Sequence, residues 1–192
     1  MTGFARARAA LRAAVLPLVS AAVFLWGCTA EKQVVYATPD YRSWKRTTDV
    51  VLDYPIPGHQ DSFRVPRMNG VGFGAKPTVV NGKRRWDFPT GTIIVKEVYR
   101  SMKPAQGEQP IQLTIMVKAP GDVHSQGGWI WLTRNLPDGR EAAFMGNFCI
   151  TCHADANEKH PFGDGNPNEE FRDYVFFIPA DEAPGPGPAG GY

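Results

Sequence analysis

The middle of the chain contains three stretches whose hydrophobic and polar positions follow a β-strand pattern. Residues 92–99 are rich in β-branched and aromatic side chains and are apolar on both faces, which predicts a central strand. Residues 111–118 alternate between apolar and polar side chains, and residues 127–134 place Trp129 and Trp131 on one face. Both tryptophans are therefore expected to pack in the core.

Helical signals are short and few outside these strands. Residues 39–45 carry two aromatic side chains at i, i+3 spacing, which predicts a short helix, and residues 140–148 predict a second one. Prolines and glycines are dense between residues 53 and 83, so we expect irregular loops with at most short strands there. A last strand is predicted over residues 172–178. The chain is therefore expected to have an α+β fold, mainly an antiparallel β-sheet with a few short helices.

The N-terminus has the pattern of a secretory signal. Three arginines precede an apolar run over residues 13–26, and this run is too short for a standard membrane span. We expect residues 1–27 to form the signal and Cys28 to be lipidated, which would anchor a periplasmic protein, with the outer membrane favoured over the inner. The alternative is cleavage after Ala30, which would release a soluble periplasmic protein.

The rest of the chain divides into three parts by composition. Residues 28–38 predict a linker, residues 39–179 a folded domain, and the proline- and glycine-rich residues 180–192 a disordered tail. The sequence has 21 basic and 19 acidic side chains, and three of the arginines lie in the signal. The mature domain therefore has no basic excess that would indicate a nucleic-acid partner.

The segment Cys149-Ile150-Thr151-Cys152-His153 has the C-x-x-C-H spacing of a haem c attachment site. Two thiols three residues apart on a turn reach two vinyl groups on one edge of the porphyrin, and the next residue brings its imidazole to the iron. A redox dithiol would not need the histidine, and a zinc site would need a second pair of ligands. We therefore expect one covalent haem c near the C-terminal side of the domain, with His153 as the metal ligand.

Several side chains are candidates for the sixth coordination position of the iron. They are His59, His124, His160, Met68, Met102, Met116 and Met145. His160 follows His153 too closely to cross the ring without an unusual loop. The strand pattern around Met116 indicates a core residue, and His124 lies in a polar loop. Since none is a strong second ligand, a five-coordinate iron open to a small molecule is expected.

Five segments in order resemble the cytochrome P460 family, which includes the β-sheet type of cytochrome c′. The segments are Tyr41-Arg42-Ser43-Trp44, Phe88-Pro89-Thr90-Gly91-Thr92-Ile93-Ile94-Val95-Lys96-Glu97, Gly128-Trp129-Ile130-Trp131, Asn147 through His153, and Asp173-Tyr174-Val175-Phe176. Only C-x-x-C-H is specific by itself, and the ordered set is much harder to obtain by chance. The resemblance implies a mainly antiparallel β fold, a homodimer, and one high-spin haem with an open distal side.

The resemblance also implies a role for Lys96. In P460 cytochromes proper, a lysine of the Val-Lys-Glu strand is joined covalently to a meso carbon of the porphyrin, and Lys96 is similar in position. Such enzymes oxidise hydroxylamine, whereas the cytochrome c′ relatives lack the link and bind nitric oxide without turnover. Lys96 shares its strand face with Ile94 and Val98, where an unpartnered ammonium is costly to bury. The alternative is an ordinary strand lysine that pairs with Glu97.

Two further polar side chains are candidates at the haem. Arg64 lies where the family often has an arginine in the distal pocket, and it would hydrogen-bond a bound N–O group or a haem propionate. The alternative is a surface arginine in a loop. Arg64 and Glu97 are also the candidate groups for proton transfer. Phe144 and Met145 are candidates for the pocket wall, and residues 157–170 look like an inserted loop relative to the family.

Three functions remain open from the sequence. The main hypothesis is a haem enzyme that oxidises hydroxylamine or another small nitrogen species and passes electrons to a periplasmic redox partner. The second is a non-catalytic nitric oxide-binding protein, which an aromatic cap over the haem and an unlinked lysine would favour. The third is simple electron transfer, which requires a stable sixth ligand.

Overall fold

The computed structural model describes residues 36–37, 39–54, 56, 62–100, 108–134, 136, 138–162 and 165–179. The predicted signal, Cys28 and the predicted tail lie outside the described residues, as does nearly all of the predicted linker. Among the described residues, no helix has the length and apolar character needed to cross a bilayer.

A six-stranded antiparallel sheet dominates the domain, and its strands are ordered β1-β2-β5-β6-β7-β8. A separate two-stranded hairpin is formed by β3 and β4. The strands are β1 (Lys45–Arg46), β2 (Phe63–Met68), β3 (Thr78–Val80), β4 (Lys83–Arg85), β5 (Ile93–Tyr99), β6 (Gln112–Lys118), β7 (Trp129–Arg134) and β8 (Glu141–Ala143). The helices are α1 (Gly70–Phe73) and α2 (Phe148–Ala154), together with 3₁₀ helices at Pro39–Ser43 and Asp155–Asn157. The predicted fold class is confirmed.

The three central strands form where the sequence pattern predicts them, because their side chains are apolar on both faces. On one face, Ile94 of β5 lies opposite Met116 of β6, which in turn lies opposite Trp131 of β7. All three belong to one buried cluster. The neighbouring row on the other face belongs to a second cluster and consists of Val95, Ile115 and Leu132. Burying a side chain of this size stabilises the fold by about 1.5–3 kcal/mol.

Strand β2 lies in the segment that the proline and glycine content predicts to be mostly loop. Its register places Arg64 opposite Val98 and Pro66 opposite Lys96 of β5. Pro66 lacks an N–H group, but its carbonyl accepts a hydrogen bond from the backbone N–H of Thr47 at 3.2 Å. A proline is tolerated in this strand because the neighbouring strand β1 is only two residues long.

The predicted helix over residues 140–148 is wrong. Its first part forms the edge strand β8, in which Glu141 pairs with Arg134 of β7. The buried Glu141 carboxylate accepts hydrogen bonds from the backbone N–H groups of Tyr36 and Ala37 at 2.7 and 3.0 Å. It also lies 2.8 Å from Nη2 of Arg134. Tyr36 and Ala37 lie more than 100 residues away in sequence, so tertiary contacts fix the extended conformation.

The predicted strand over residues 172–178 is also absent from the structure. Asp173 and Tyr174 have φ angles of 50° and 68°, which belong to the left-handed region and interrupt any strand. The backbone N–H of Val175 donates to the carbonyl of Arg172 at 3.0 Å, so the segment forms a tight turn. This turn packs against the haem-motif helix, as its contacts below show.

Candidate haem-binding site

Helix α2 carries the C-x-x-C-H segment. It begins after Asn147, whose carbonyl accepts the N–H of Thr151 at 2.9 Å. Because the two cysteines are three residues apart on a helix, both thiols lie on the same face. Cys149, Cys152 and His153 line one cavity of about 210 Å³. Strands β2, β5, β6 and β7 supply much of the remaining lining.

His153 is held by one hydrogen bond and two aromatic contacts. Its Nδ1 lies 2.9 Å from the carbonyl oxygen of Tyr174. Its ring centroid lies 4.8 Å from that of Trp131 and 5.2 Å from that of Phe176. Since a carbonyl can only accept, we assign the proton to Nδ1, which leaves the lone pair on Nε2.

The electrostatic environment keeps this imidazole neutral. Burial lowers the pKa of His153 to about 4, and the charge of Lys96 contributes in the same direction. At neutral pH His153 is therefore an imidazole with an Nε2 lone pair, which is the form that binds iron. The tautomer and the protonation state both suit an axial ligand.

Lys96 lines the same cavity as the two thiols and the imidazole. It lies on β5 opposite Pro66 of β2 and Thr114 of β6. Burial lowers the pKa of Lys96 to about 7, and the nearby guanidinium of Arg64 contributes in the same direction. A substantial fraction of this side chain is therefore a neutral, nucleophilic amine near neutral pH.

Arg64 also lines the cavity and is fully buried. Its Nη2 donates to the carbonyl of Tyr54, and the guanidinium lies 5.1 Å from the centre of the Tyr54 ring. Its Nε and Nη1 have no hydrogen-bond partner among the described residues. Burial lowers the pKa of Arg64. A haem propionate or an iron-bound ligand would supply the missing acceptor, so the residues that line the cavity fit a haem.

Glu97 does not reach this cavity. Neighbouring residues of a strand point to opposite faces, so Glu97 lies on the side of the sheet away from Lys96. Its carboxylate is 1% exposed and lies 3.0 Å from Nε of Arg67, and it accepts a hydrogen bond from the hydroxyl of Tyr41 at 3.2 Å. These contacts give Glu97 a place in a buried ion-pair network, and they do not bring it to Arg64 and Lys96.

The described cavity lining contains basic side chains and no acidic ones. Among the described lining residues there are two cationic side chains, Arg64 and Lys96, and no aspartate or glutamate. Elsewhere in the described part of the chain, no group of three or more histidine, cysteine or acidic side chains has an arrangement suited to a metal ion.

The candidates for the sixth iron ligand lie in different parts of the structure. Met116 lines the cavity, whereas Met68 is buried in the core and Met145 is largely exposed on the surface. His160 is buried outside the cavity lining, where its Nδ1 accepts the N–H of Phe162 at 3.2 Å. His124 is exposed and does not line the cavity. The remaining two candidates, His59 and Met102, lie outside the described residues.

Several site residues escaped the sequence analysis. Phe148, Phe162 and Phe176 line the cavity together with Phe144, whereas Met145 does not. Phe162 comes from the segment that looked like an insertion. The Tyr174 carbonyl is a backbone group, so no side-chain pattern could have indicated its contact with the imidazole.

Comparison with known proteins gives a family. A family model described as Cytochrome P460 matches residues 38–177, a range that contains every strand and helix described above. A comparison with curated proteins gave no match.

Proposed function

Because the chain belongs to the cytochrome P460 family, we propose that it is an exported monohaem c-type cytochrome whose distal haem face is open to small nitrogen ligands. The family itself implies a haem cofactor. The finer statement, covalent attachment through Cys149 and Cys152 with His153 as axial ligand, is supported by one observation above all. These three side chains line a single cavity together with Lys96.

Each of the chain's own residues has a role in this proposal. A bound haem supplies a redox-active iron that small nitrogen species can ligate. His153 presents Nε2 to the cavity because the Tyr174 carbonyl holds its Nδ1 proton. Arg64 offers two donor nitrogens, Nε and Nη1, to an acceptor in the cavity. Lys96 is the position of the third covalent attachment, and its lowered pKa favours the neutral amine that such a bond requires. The N–C bond would replace one N–H of the amine and one meso C–H of the porphyrin, so its formation would need a two-electron oxidant such as a peroxide.

Hydroxylamine oxidation is the activity that a linked Lys96 would favour, since the resemblance ties the lysine link to that reaction. Oxidation of hydroxylamine releases protons, and the described cavity lining contains no carboxylate to accept them. Glu97, the acidic candidate from the sequence, lies in the network on the other face. Proton transfer in this proposal therefore depends on solvent.

A second candidate function is nitric oxide binding without turnover. Two observations favour it: the carboxylate-free lining just described, and aromatic side chains at the cavity, including Phe144 and Phe148. A cavity of this kind accommodates a small neutral gas without requiring a general base.

Mass spectrometry of the haem peptides tests the proposal and separates the two candidates. The mature domain would be produced in a host that matures haem c, and then digested. We expect the peptide with Cys149 and Cys152 to carry haem, and the peptide with Lys96 to be joined to the same haem. Lys96→Arg, which keeps a cation but removes the amine, should lose the third attachment, whereas Glu97→Gln should retain it.

The outcomes differ in what they imply. A third attachment together with hydroxylamine turnover supports the enzyme. Two thioethers, an unmodified Lys96 and no turnover would support the nitric oxide-binding protein. A mature protein without covalent haem would refute the proposal as a whole.

We also propose that the protein is lipid-anchored in the periplasm through Cys28 and forms a homodimer. The support is the N-terminal sequence pattern and the family resemblance. Cys28→Ala should move the protein from the membrane fraction to the soluble periplasmic fraction. Sedimentation of the mature domain should give twice the mass of one chain. A Cys28→Ala protein that stays in the membrane fraction would contradict the lipid anchor. A mature domain that sediments as a monomer would contradict the homodimer.

A further inference from the structure

The carbonyl that faces His153 belongs to an unusual piece of backbone. Asp173 and Tyr174 are consecutive non-glycine residues with positive φ angles of 50° and 68°. Such conformations are costly for residues with a Cβ, and they persist only where the surrounding contacts enforce them. Those contacts therefore determine where the Tyr174 carbonyl lies.

The first set of contacts holds the Asp173 side chain, which is 3% exposed. Its Oδ1 accepts hydrogen bonds from Nζ of Lys118 at 2.7 Å and from Nε1 of Trp129 at 3.2 Å. Its Oδ2 accepts the backbone N–H of Phe88 at 3.0 Å. Lys118 ends β6 and Trp129 begins β7, so the carboxylate ties the turn to one end of the sheet.

The second set comes from Asn157, the last residue of the 3₁₀ helix that directly follows α2. Its Oδ1 accepts the backbone N–H groups of Arg172 and Tyr174 at 2.9 and 3.2 Å. One side chain thus holds the N–H groups of the two residues that flank Asp173. It also ties the turn to the helix that carries the haem motif.

We propose that Asn157 and Asp173 are positioning residues that set the donor strength of the His153 imidazole toward iron. The inference rests on the proposed function, in which His153 is the axial ligand. They act through the Tyr174 carbonyl, since a strong hydrogen bond from Nδ1–H makes Nε2 more basic. A more basic axial ligand stabilises the oxidised iron and lowers the reduction potential.

Asn157→Ala in the haem-loaded mature protein tests the inference. Without Oδ1 the turn relaxes, and the hydrogen bond from His153 to Tyr174 weakens. We expect the iron–histidine stretching frequency of the ferrous protein to fall. We expect the midpoint potential to rise by about 59 mV, which corresponds to a tenfold change in the equilibrium constant for one-electron reduction.

Two further variants separate positioning from general destabilisation. Asn157→Asp keeps an acceptor oxygen, so the stretching frequency and the potential should return toward the wild-type values. Asn166→Ala is the matched control in the same loop. Asn166 is 1% exposed and its hydrogen bonds go to Ala156 and Glu170, so its loss should reduce stability and leave both haem readouts unchanged.

Wild-type readouts in Asn157→Ala, or equal shifts in Asn157→Ala and Asn166→Ala, would overturn the inference. If Asn157→Ala is not recovered with haem, the milder Asn157→Ser is measured in the same way, and wild-type values there overturn it equally. A wild-type protein without covalent haem, by contrast, is a failure of the proposed function and is detected beforehand by mass spectrometry.

Discussion

Removing the charge of Asp173 is expected to destabilise the domain strongly. Asp173→Asn keeps the size of the side chain but removes the negative charge that lies 2.7 Å from the Lys118 ammonium, whose side chain is 13% exposed. Breaking a buried ion pair from one side costs about 3–5 kcal/mol. Because Lys118 retains some contact with water, the lower end of this range applies.

A second contribution comes from the amide that replaces the carboxylate. An asparagine can offer its oxygen to Lys118 and Trp129, but its NH₂ group then faces the backbone N–H of Phe88, which loses its acceptor. An unsatisfied buried N–H costs about 1–3 kcal/mol. The two contributions overlap, so the expected loss is about 4 kcal/mol, equivalent to about 8–16 °C in Tm for a domain of this size.

Equilibrium unfolding of the haem-loaded domain in guanidinium chloride, followed by far-UV circular dichroism, measures this loss. The midpoint should fall with an unchanged denaturant slope. Lys118→Met in the same background relieves the uncompensated cation, so the double variant should recover about 2 kcal/mol relative to additivity. Asp87→Asn is the control, since Asp87 pairs with Arg85 at the surface and its loss should leave the midpoint unchanged.

Two results would refute this reasoning. A loss below about 1 kcal/mol in Asp173→Asn would mean that the carboxylate carries no buried charge pair. A coupling near zero with Lys118→Met would mean that the 2.7 Å contact contributes nothing specific. In either case, the left-handed turn at residues 173–174 must be held without this ion pair, by other contacts such as those of the Asn157 side chain.

Two further results are expected. Gly127→Ala should lower Tm markedly, because φ is +64° and a Cβ there would lie 2.7 Å from a side-chain atom of Ile150. Gly91→Ala is the comparison, since Gly91 has φ +87° but open space around the Cβ position. This variant should cost only backbone strain of about 1–2 kcal/mol. Equal losses in thermal melts would show that packing at Gly127 is unimportant. In a domain without the two haem cysteines, Lys96→Met should raise the free energy of unfolding by a few kcal/mol at pH 6. Burial lowers the pKa of Lys96 in the folded state from 10.5 to about 7. The domain that retains Lys96 therefore gains stability as pH rises between these two values. The stability advantage of Lys96→Met should shrink accordingly as pH rises toward 10. A pH-independent difference in urea titrations would contradict the buried amine.

The sheet was predictable where its signal is local. The stretch 92–99 forms β5 from Ile93 to Tyr99, because its apolar faces suit a central strand whichever neighbours pair with it. Between residues 53 and 83 only short strands within loops were expected, because Pro66 and the glycine-rich surroundings indicate loop. Pairing with β5 overrides that preference and gives the six-residue strand β2. The conformation of Glu141 likewise depends on Tyr36 and Ala37, about a hundred residues away.

The residues of the site were likewise predictable only where the signal is local in sequence. The two cysteines and His153 are adjacent in sequence, so one short helix brings them together wherever it packs. Strand alternation alone separates Lys96 from Glu97, and it could have excluded Glu97 from the cavity before the structure was known. The Tyr174 carbonyl was beyond prediction, because its position follows from contacts of Asp173 and Asn157 that are remote in sequence.

The charge of the cavity connects folding with cofactor binding. Arg64 is fully buried, and its Nε and Nη1 have no acceptor among the described residues. The pKa of Lys96 is lowered by burial and by Arg64. No carboxylate among the described lining residues offsets these cations. A group that enters the cavity with anionic oxygens, as haem does with its propionates, would satisfy the guanidinium and favour the folded state. The residues that prepare the site for haem are thus the ones that make the haem-free polypeptide less stable.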